Sequence, residues 1–512
     1  MYLEVIDKLE ALSKLKENWE RVYDQDPDSH FFISFSWLSS WLDGDTTRWF
    51  VLAAKTDAGA SDYVAFFPLR MRAKISKDFS FHNELAMAGR GLSDYTGLLS
   101  LPEYEDQAIA AFAGHLKKLN WSRFNVDYMR ASESRKAKFL SCFSSKNFEF
   151  KHIPSINKRD NINNDICPFI TLPESFDEYL ATLSSNTRQK IRRFMRMVEN
   201  SDEFRITLPD ADTVDRDIGI LLDFWRVKWG SRKGNRLNGI LNTNREMLKR
   251  SFENDALFLP TLWKGERPLS TLGTFIDHRK KAMLFFIAGR DETFSEAPPP
   301  GLVLHGWSIR YAIENGFKTY DFLRGNEKYK YSFCSEEEVV KQIIVSTRNG
   351  KNLGDRLDPH SIPFFLRRAT KMHEAGKLVE AERGYKQVLQ SEPKLAAALY
   401  CYGQLMAAKG NHAAAAKTFK TLVGVRPNAP KAWLRLGKAL EARKRFADAA
   451  DAYREITKQR PNSRSAHRKL GETLLKLGRF DEATAAFNSA LASKPGATPS
   501  AVQSMIQAAA RD

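Results

Sequence analysis

The chain has 512 residues, 43% of them apolar and 12% aromatic, which excludes a disordered or low-complexity protein and leaves room for about three domains. Its formal charge of +17 is uneven: residues 362–512 hold 27 Lys+Arg against 12 Asp+Glu, so +15 of the excess sits there. No run of about 18 apolar residues occurs, so no helix is expected to span a membrane.

Met1–Lys16 is mixed in charge and lacks the basic start, apolar core and cleavage site of a secretory signal, so a cytoplasmic location is expected. A helix is expected around Ser36–Trp41, followed by strands over Trp49–Lys55 and Tyr63–Arg72. A turn at Gly89–Gly91 leads into Asp94 and Tyr95. The same grammar returns later. Helices are expected over Ser184–Asn200 and Ile218–Trp229, then strands over Leu257–Trp263, Leu269–Ile276 and Ala282–Ala288. Pro298, Pro299, Pro300 and Gly301 open a helix through Ile313. Gly316 ends it, and the strand Thr319–Leu323 follows. Strand, proline–glycine turn, helix, strand is the order of an α/β acyl-CoA-type fold, and two such halves in tandem suggest an internal duplication.

On the first long helix, Arg188, Arg192 and Arg196 are four apart and form one stripe opposite Ile191, Phe194, Met195 and Val198. The stripe could clamp a phosphate or carboxylate, or be a solvated face. Cys142, Cys167, Cys334 and Cys401 show no paired spacing and no neighbouring His, so neither a metal nor a disulfide framework is expected. His30 and His305 stand alone, and structural roles are expected for both.

The last third is periodic. Pro393, Pro427, Pro461 and Pro495 recur every 34 residues. In phase with them come Phe365, Leu399, Trp433 and His467, then Ala369, Gly403, Gly437 and Gly471. Ala381, Ala415, Ala449 and Ala483 follow, then Tyr385, Phe419, Tyr453 and Phe487. This pattern resembles the tetratricopeptide repeat (TPR). Small residues let two antiparallel helices approach, the aromatic fills the groove, and the proline ends the unit. Four repeats run to residue 497, the first degenerate at Arg368, and Pro499–Ala510 reads as a capping helix. A basic solenoid implies an acidic partner, such as an acidic protein; a plain solubility surface stays open. No nucleic-acid-binding motif accompanies the charge, so nucleic acid is not expected.

Gly91–Tyr95, Leu183–Arg188 running into Arg192 and Arg193, and Tyr320–Lys330 resemble the CelD/BcsL acetyltransferase family of the GNAT superfamily. That family is also similar to the FemAB aminoacyltransferases, which carry two GNAT-like halves. The resemblance spans about residues 15–350. It implies tandem α/β GNAT-like domains before the all-α solenoid: residues 1–165, residues 166–350, a linker at 351–361, and the repeats over 362–512. It implies acetyl-CoA or another acyl-CoA as donor and a saccharide or nucleotide sugar as acceptor, in exopolysaccharide, cellulose or cell-envelope biosynthesis. Peripheral attachment to a membrane-bound synthesis complex would follow.

The resemblance also implies roles. The start of the proline-opened helix, Gly301, Leu302 and Val303, matches the place where GNAT proteins hold the CoA pyrophosphate on backbone N–H groups. Only Gly301 of the usual loop is present, and the prolines before it donate no N–H. Lys330 would stabilise the oxyanion, with Asp321 or Glu327 orienting it or acting as base. A buried Asp–Arg or Glu–Lys pair holding the turn is the structural alternative. Arg324 would join the substrate contacts. Asp94 would be an acceptor-side base and Tyr95 an acid, or a turn cap and a packed ring. Two other functions stay open: a FemAB-like aminoacyltransferase using aminoacyl-tRNA, and a catalytically silent scaffold.

Overall fold

The structure is a computed structural model and describes residues 1–44, 48–89 and 91–492. The chain divides into two compact units: residues 1–72, 84–118 and 123–350 in one, and 73–83, 119–122 and 351 onward in the other.

The first unit opens with β1 (Tyr2–Ile6), α1 (Leu9–Ser13), α2 (Lys16–Gln25), α3 (Phe35–Gly44), β2 (Arg48–Lys55), β3 (Tyr63–Ile75) and β4 (Phe81–Met87). It continues with β5 (Leu99–Ser100), α4 (Glu105–Leu116), β6 (Arg123–Asp127), α5 (Glu133–Ser141) and β7 (Phe148–His152). A small hairpin, β8 (Ile156–Asn157) and β9 (Ile162–Asn163), leads to β10 (Ile166–Thr171), α6 (Phe176–Thr182), α7 (Ser185–Glu199), β11 (Phe204–Thr207), α8 (Val214–Lys233) and α9 (Leu237–Glu253). Then come β12 (Leu257–Phe258), β13 (Thr261–Lys264), β14 (Arg267–Asp277), β15 (Ala282–Arg290), α10 (Pro300–Glu314), β16 (Thr319–Asp321), β17 (Glu336–Val339) and β18 (Gln342–Thr347).

Two sheets result, and they correspond strand for strand. The orders are β1-β2-β3-β4-β6-β18-β7 and β11-β13-β14-β15-β16-β10-β17. Among the described residues each has a parallel pair, β4 with β6 and β15 with β16, bridged by a crossover helix, α4 or α10. Each inserts an antiparallel strand beside that pair. In the first sheet it is β18, between β6 and β7. In the second it is β10, between β16 and β17. The first sheet therefore takes a strand from beyond residue 341, and residues 1–165 do not hold all of it. The tandem GNAT-like architecture is the one the sequence predicts.

Local chemistry sets the boundaries. Ser184 caps α7 by accepting the Thr187 N–H, and Ser175 makes a capping box with Glu178 on α6. The strand expected over Leu257–Trp263 is broken at Leu259–Pro260, because Pro260 has no N–H for a ladder. The strand expected over Thr319–Leu323 stops at Asp321, since Leu323 turns to φ 57°. The two halves share one core. Phe31 stacks on Phe275 at 5.1 Å, with Phe32 and Trp37 against the same ring.

The second unit carries the repeats as four helical hairpins: α11 (Ile362–Glu374) with α12 (Leu378–Ser391), α13 (Ala396–Ala408) with α14 (His412–Val425), α15 (Pro430–Glu441) with α16 (Phe446–Gln459), and α17 (Arg464–Lys476) with α18 (Phe480–Ala492). A Cβ on Gly403 would meet the Phe419 ring at 2.7 Å, and one on Gly471 the Phe487 ring at 2.8 Å. Those glycines are what lets the helices close. His467, which departs from the Trp of the repeat, keeps its contact: Trp433 Nε1 donates to Pro427 O at 2.7 Å, and His467 Nε2 lies 2.7 Å from Pro461 O. The expected capping helix at Pro499–Ala510, and Pro495, lie outside the described residues.

Residues 73–83 pack on the first hairpin. Phe81 stacks on Phe365 at 4.7 Å, and Gln387 bonds both its N–H and its carbonyl. Residues 351–361 are structured: Asn352 and Asp358 are buried and bond Asn83.

Candidate active site

Asp321 ends β16 and is 1% exposed. Three donors converge on its carboxylate. Leu323 N–H reaches Oδ1 at 2.7 Å, Tyr95 Oη reaches Oδ1 and Oδ2 at 3.0 and 3.1 Å, and Arg130 Nη1 reaches Oδ2 at 3.0 Å. Arg130 also donates Nε to Glu338 at 2.9 Å and lies over the Tyr95 ring at 4.8 Å. Burial works against its charge, but Asp321, Tyr95 and Glu338 hold the guanidinium pKa above its ordinary value. Burial, with Asp321 beside it, pushes the Tyr95 phenol well above 10. Tyr95 and Asp321 thus meet, as a buried brace between the halves.

Lys330 is 3% exposed. Its ammonium donates to Gly325 O at 2.9 Å and Arg324 O at 3.2 Å, and pairs with Glu327 at 2.9 Å. These contacts hold the turn that runs from Arg324 to Lys330. Gly325 sits at φ 110°, and a Cβ there would strike the Glu327 carboxylate at 2.7 Å.

Asp94 lies beside this turn with 28% of its side chain exposed, 4.0 Å from Arg324. Burial pushes its carboxyl up to about 6, against the pull of Arg324 and Lys330. Arg324 itself donates to Asn164 O at 2.9 Å and Ser155 Oγ at 3.2 Å and covers the Tyr128 ring.

β15 and β16 run parallel only from Ala282–Thr319 to Leu284–Asp321, and β15 then continues to Arg290 paired with β14 but not with β16. The first turns of α10 cover the opening: His305 packs on Phe285 at 4.7 Å, Phe333 at 5.0 Å and Phe322 at 5.5 Å. Burial, helped by the Lys330 charge, lowers His305 to about 3, so it is a neutral packing group. Pro300 is the first helical residue, and Val303 makes the first helical bond, to Pro299 O at 3.2 Å. The amides of Gly301 and Leu302 precede that bond and point out of the helix start. Val303 spends its amide inside the helix.

Arg188, Arg192 and Arg196 stay on the outer face of α7, whose Ile191 and Met195 pack toward Gly306 of α10. Arg192 pairs with Asp177 at 2.7 Å, and none of the three lines the cavities below.

Two cavities lie between the halves, and Phe31 lines both. One, of about 590 Å³, is walled by Trp37, Trp41, Leu92, Arg70, Glu246 and Arg250. The other, of about 440 Å³, is polar and includes His30, Arg130, Asp277, Lys280, Asp321 and Glu338. His30 Nε2 lies 3.3 Å from Thr96 O, and burial and the Arg130 charge lower it to about 3.

Residues 185–331 match the family described as Acetyltransferase (GNAT) domain. The chain is an acyltransferase. Its GNAT domain implies an acyl-CoA donor. Residues 374–432, 403–464 and 434–498 match the family described as Tetratricopeptide repeat, which implies a protein partner. The crystal structure of FemX is similar to the acyltransferase at 11% identity, over 68% of this chain and 98% of that one, with a TM-score of 0.46. Crystal structures of MamA are similar over 28% and 30% of this chain and 82% and 81% of those, at 24% and 23% identity, with TM-scores of 0.25 and 0.27. No curated protein sequence matches the chain. Among the described residues no helix is long and apolar enough to cross a membrane.

Sequence reasoning missed Arg130, Glu338 and α9. A signal for Arg130 was present. Asp127-Tyr128-Met129-Arg130 follows β6 as Asp321-Phe322-Leu323-Arg324 follows β16, so the duplicated tetrad marks both arginines.

Proposed function

We propose that this acyltransferase moves an acyl group, acetyl in the simplest case, from CoA to an amino or hydroxyl group of a saccharide or polysaccharide precursor. Exopolysaccharide, cellulose or cell-envelope biosynthesis is the setting, and the basic repeats dock an acidic protein partner. The observation that carries the reading is the parting of β15 and β16 under the start of α10. Such an opening at the carboxyl ends of parallel strands suits a ligand, and a helix start suits its phosphates.

In this reading the Gly301 and Leu302 amides hold the pyrophosphate. The acceptor enters the larger cavity, where Trp37, Trp41 and Leu92 supply an apolar wall and Arg250 and Arg70 favour an anionic group such as a nucleotide-sugar phosphate. Asp94, with its carboxyl near 6, takes the acceptor proton as the N or O attacks the thioester carbonyl. The C–S bond then breaks and the CoA thiolate leaves. Arg130, Tyr95 and Asp321 keep the two halves in register, and Lys330 fixes the turn that carries Arg324.

The test is thiol release from acetyl-CoA with amino sugars, nucleotide sugars and cello-oligosaccharides as acceptors. Release that requires a saccharide supports the reading. Transfer from aminoacyl-tRNA, with none from acyl-CoA, replaces it by the aminoacyltransferase.

A further inference from the structure

Helix α9 presents one face to the larger cavity. Asn242, Glu246, Arg250 and Asn254 line it and stand four apart, so they form a single stripe along the helix. Between the first and the last the helix rises by about 18 Å. Both ends of the stripe, Asn242 and Asn254, are exposed, and so is Glu246. Met247 and Ser251, beside its middle, line the same cavity and are buried. The stripe is therefore longer than the enclosed part of the cavity and reaches solvent.

Helix α3 supplies another wall with Ser36, Trp37, Ser40 and Trp41, again one helical face. The two helices are tied together, since Arg250 Nη1 donates to Ser40 O at 2.8 Å. The same wall leads to the proposed base. Trp37 Nε1 donates to Ser93 Oγ at 2.8 Å, and Gly91 and Leu92 line the cavity just before Asp94 in the chain. Asn242 and Glu246 do not hold the fold: among the described residues neither side chain makes a hydrogen bond or ion pair.

We propose that α9 reads an extended saccharide chain. The ring to be acylated lies by Trp37 and Leu92, near Asp94, and neighbouring rings run along the α9 stripe past Glu246 to Asn242. Sugar hydroxyls donate and accept at once, and the Asn amide and Glu carboxylate supply both complements. A single sugar would leave the exposed end of the stripe unused. An extended peptide is recognised chiefly through backbone bonds to a sheet edge, whereas α3 and α9 offer side chains, so the saccharide is the better occupant. This rests on the saccharide reading of the acceptor and selects, within it, a chain over a single sugar.

The test is acyl transfer by the full chain from acetyl-CoA to cello- and chitosan-oligosaccharides, from one ring to about six, enough to cover the stripe. KM should fall at least about tenfold along the series while kcat holds. Asn242→Ala and Glu246→Ala should each raise KM for the longest acceptor roughly fivefold, the value of one hydrogen bond, without lowering kcat. Both side chains are exposed, so the melting temperatures should match the wild type. A KM independent of length, or a length dependence that both variants leave intact, overturns the proposal. If no saccharide is acylated, the proposed reaction fails separately, and calorimetry with the same oligosaccharides in the absence of acetyl-CoA decides. Affinity that rises with ring number and falls in both variants supports a chain-reading α9. Equal affinity along the series, no binding, or binding of an extended lysine-containing peptide instead overturns it.

Discussion

Arg130 of the first half donates to Asp321 of the second at 3.0 Å. The two come from corresponding tetrads, one after β6 and one after β16, but the pairing is not reciprocal. Asp127 instead accepts Gln342 Nε2 at 2.6 Å, and Arg324 turns to Asn164, Ser155 and Asp94. Duplication supplied two equivalent sets of groups. The brace takes one member from each, and of the two left over Arg324 faces Asp94 and Asp127 faces Gln342.

Removing one side of that brace leaves a buried carboxylate uncompensated. Arg130→Met should destabilise the protein by about 3 kcal/mol. Tyr95→Phe should destabilise it by about 1.5 kcal/mol, the value of a hydrogen bond to a charged group. Urea midpoints check both. Asp321→Asn in the Arg130→Met background should recover part of the loss, and a strictly additive double variant would contradict the pairing.

Asp94 should impose a pH limb. A base acts as carboxylate, so turnover should rise as pH increases through about 6. Asp94→Asn should lose the limb and most of the rate. Stability should move the other way. The folded carboxyl is raised above its ordinary 3.8, so its burial costs nothing below about pH 4 and progressively more up to about 6. At pH 7 Asp94→Asn should therefore be more stable than wild type, on the order of 2 kcal/mol. A destabilised Asn variant would argue that Asp94 is a structural cap.

In the repeats, Gly403→Ala places a methyl 2.7 Å from the Phe419 ring and should destabilise the unit by about 1–3 kcal/mol. Phe81→Ala should destabilise it by about 3 kcal/mol, since the ring is buried and stacked on Phe365. Hydrogen exchange should place the loosened amides in α11 and α12.

The repeats were legible because their spacing is local chemistry: Gly403, Ala415 and Phe419 recur at 34 residues for a reason confined to one hairpin. The crossover with its proline–glycine start was legible too. The site was less so. Lys330 and Glu327 are plain charges in the sequence, and that chain reversal at Gly325 brings them within 2.9 Å of each other is a property of the fold. Arg188, Arg192 and Arg196 share a face, and nothing in the sequence says that α7 turns its other face to α10. Pairings such as Arg130 with Asp321, 191 residues apart, depend on how two halves dock. The strand β18, which returns to the first sheet from the far end of the second half, is invisible to local pattern for the same reason.

The central claim is an acyl-CoA site at the start of α10, and Gly301 allows a clean test. A Cβ there meets nothing within 4 Å, so Gly301→Glu should fold normally while setting a negative charge where the pyrophosphate is expected. The measurement is the melting temperature with and without acetyl-CoA. The account predicts a rise of about 5 °C for the wild type near a hundredfold excess over Kd, and none for Gly301→Glu, with equal melting of the two unliganded proteins. No rise in the wild type, or the same rise in both, would contradict it.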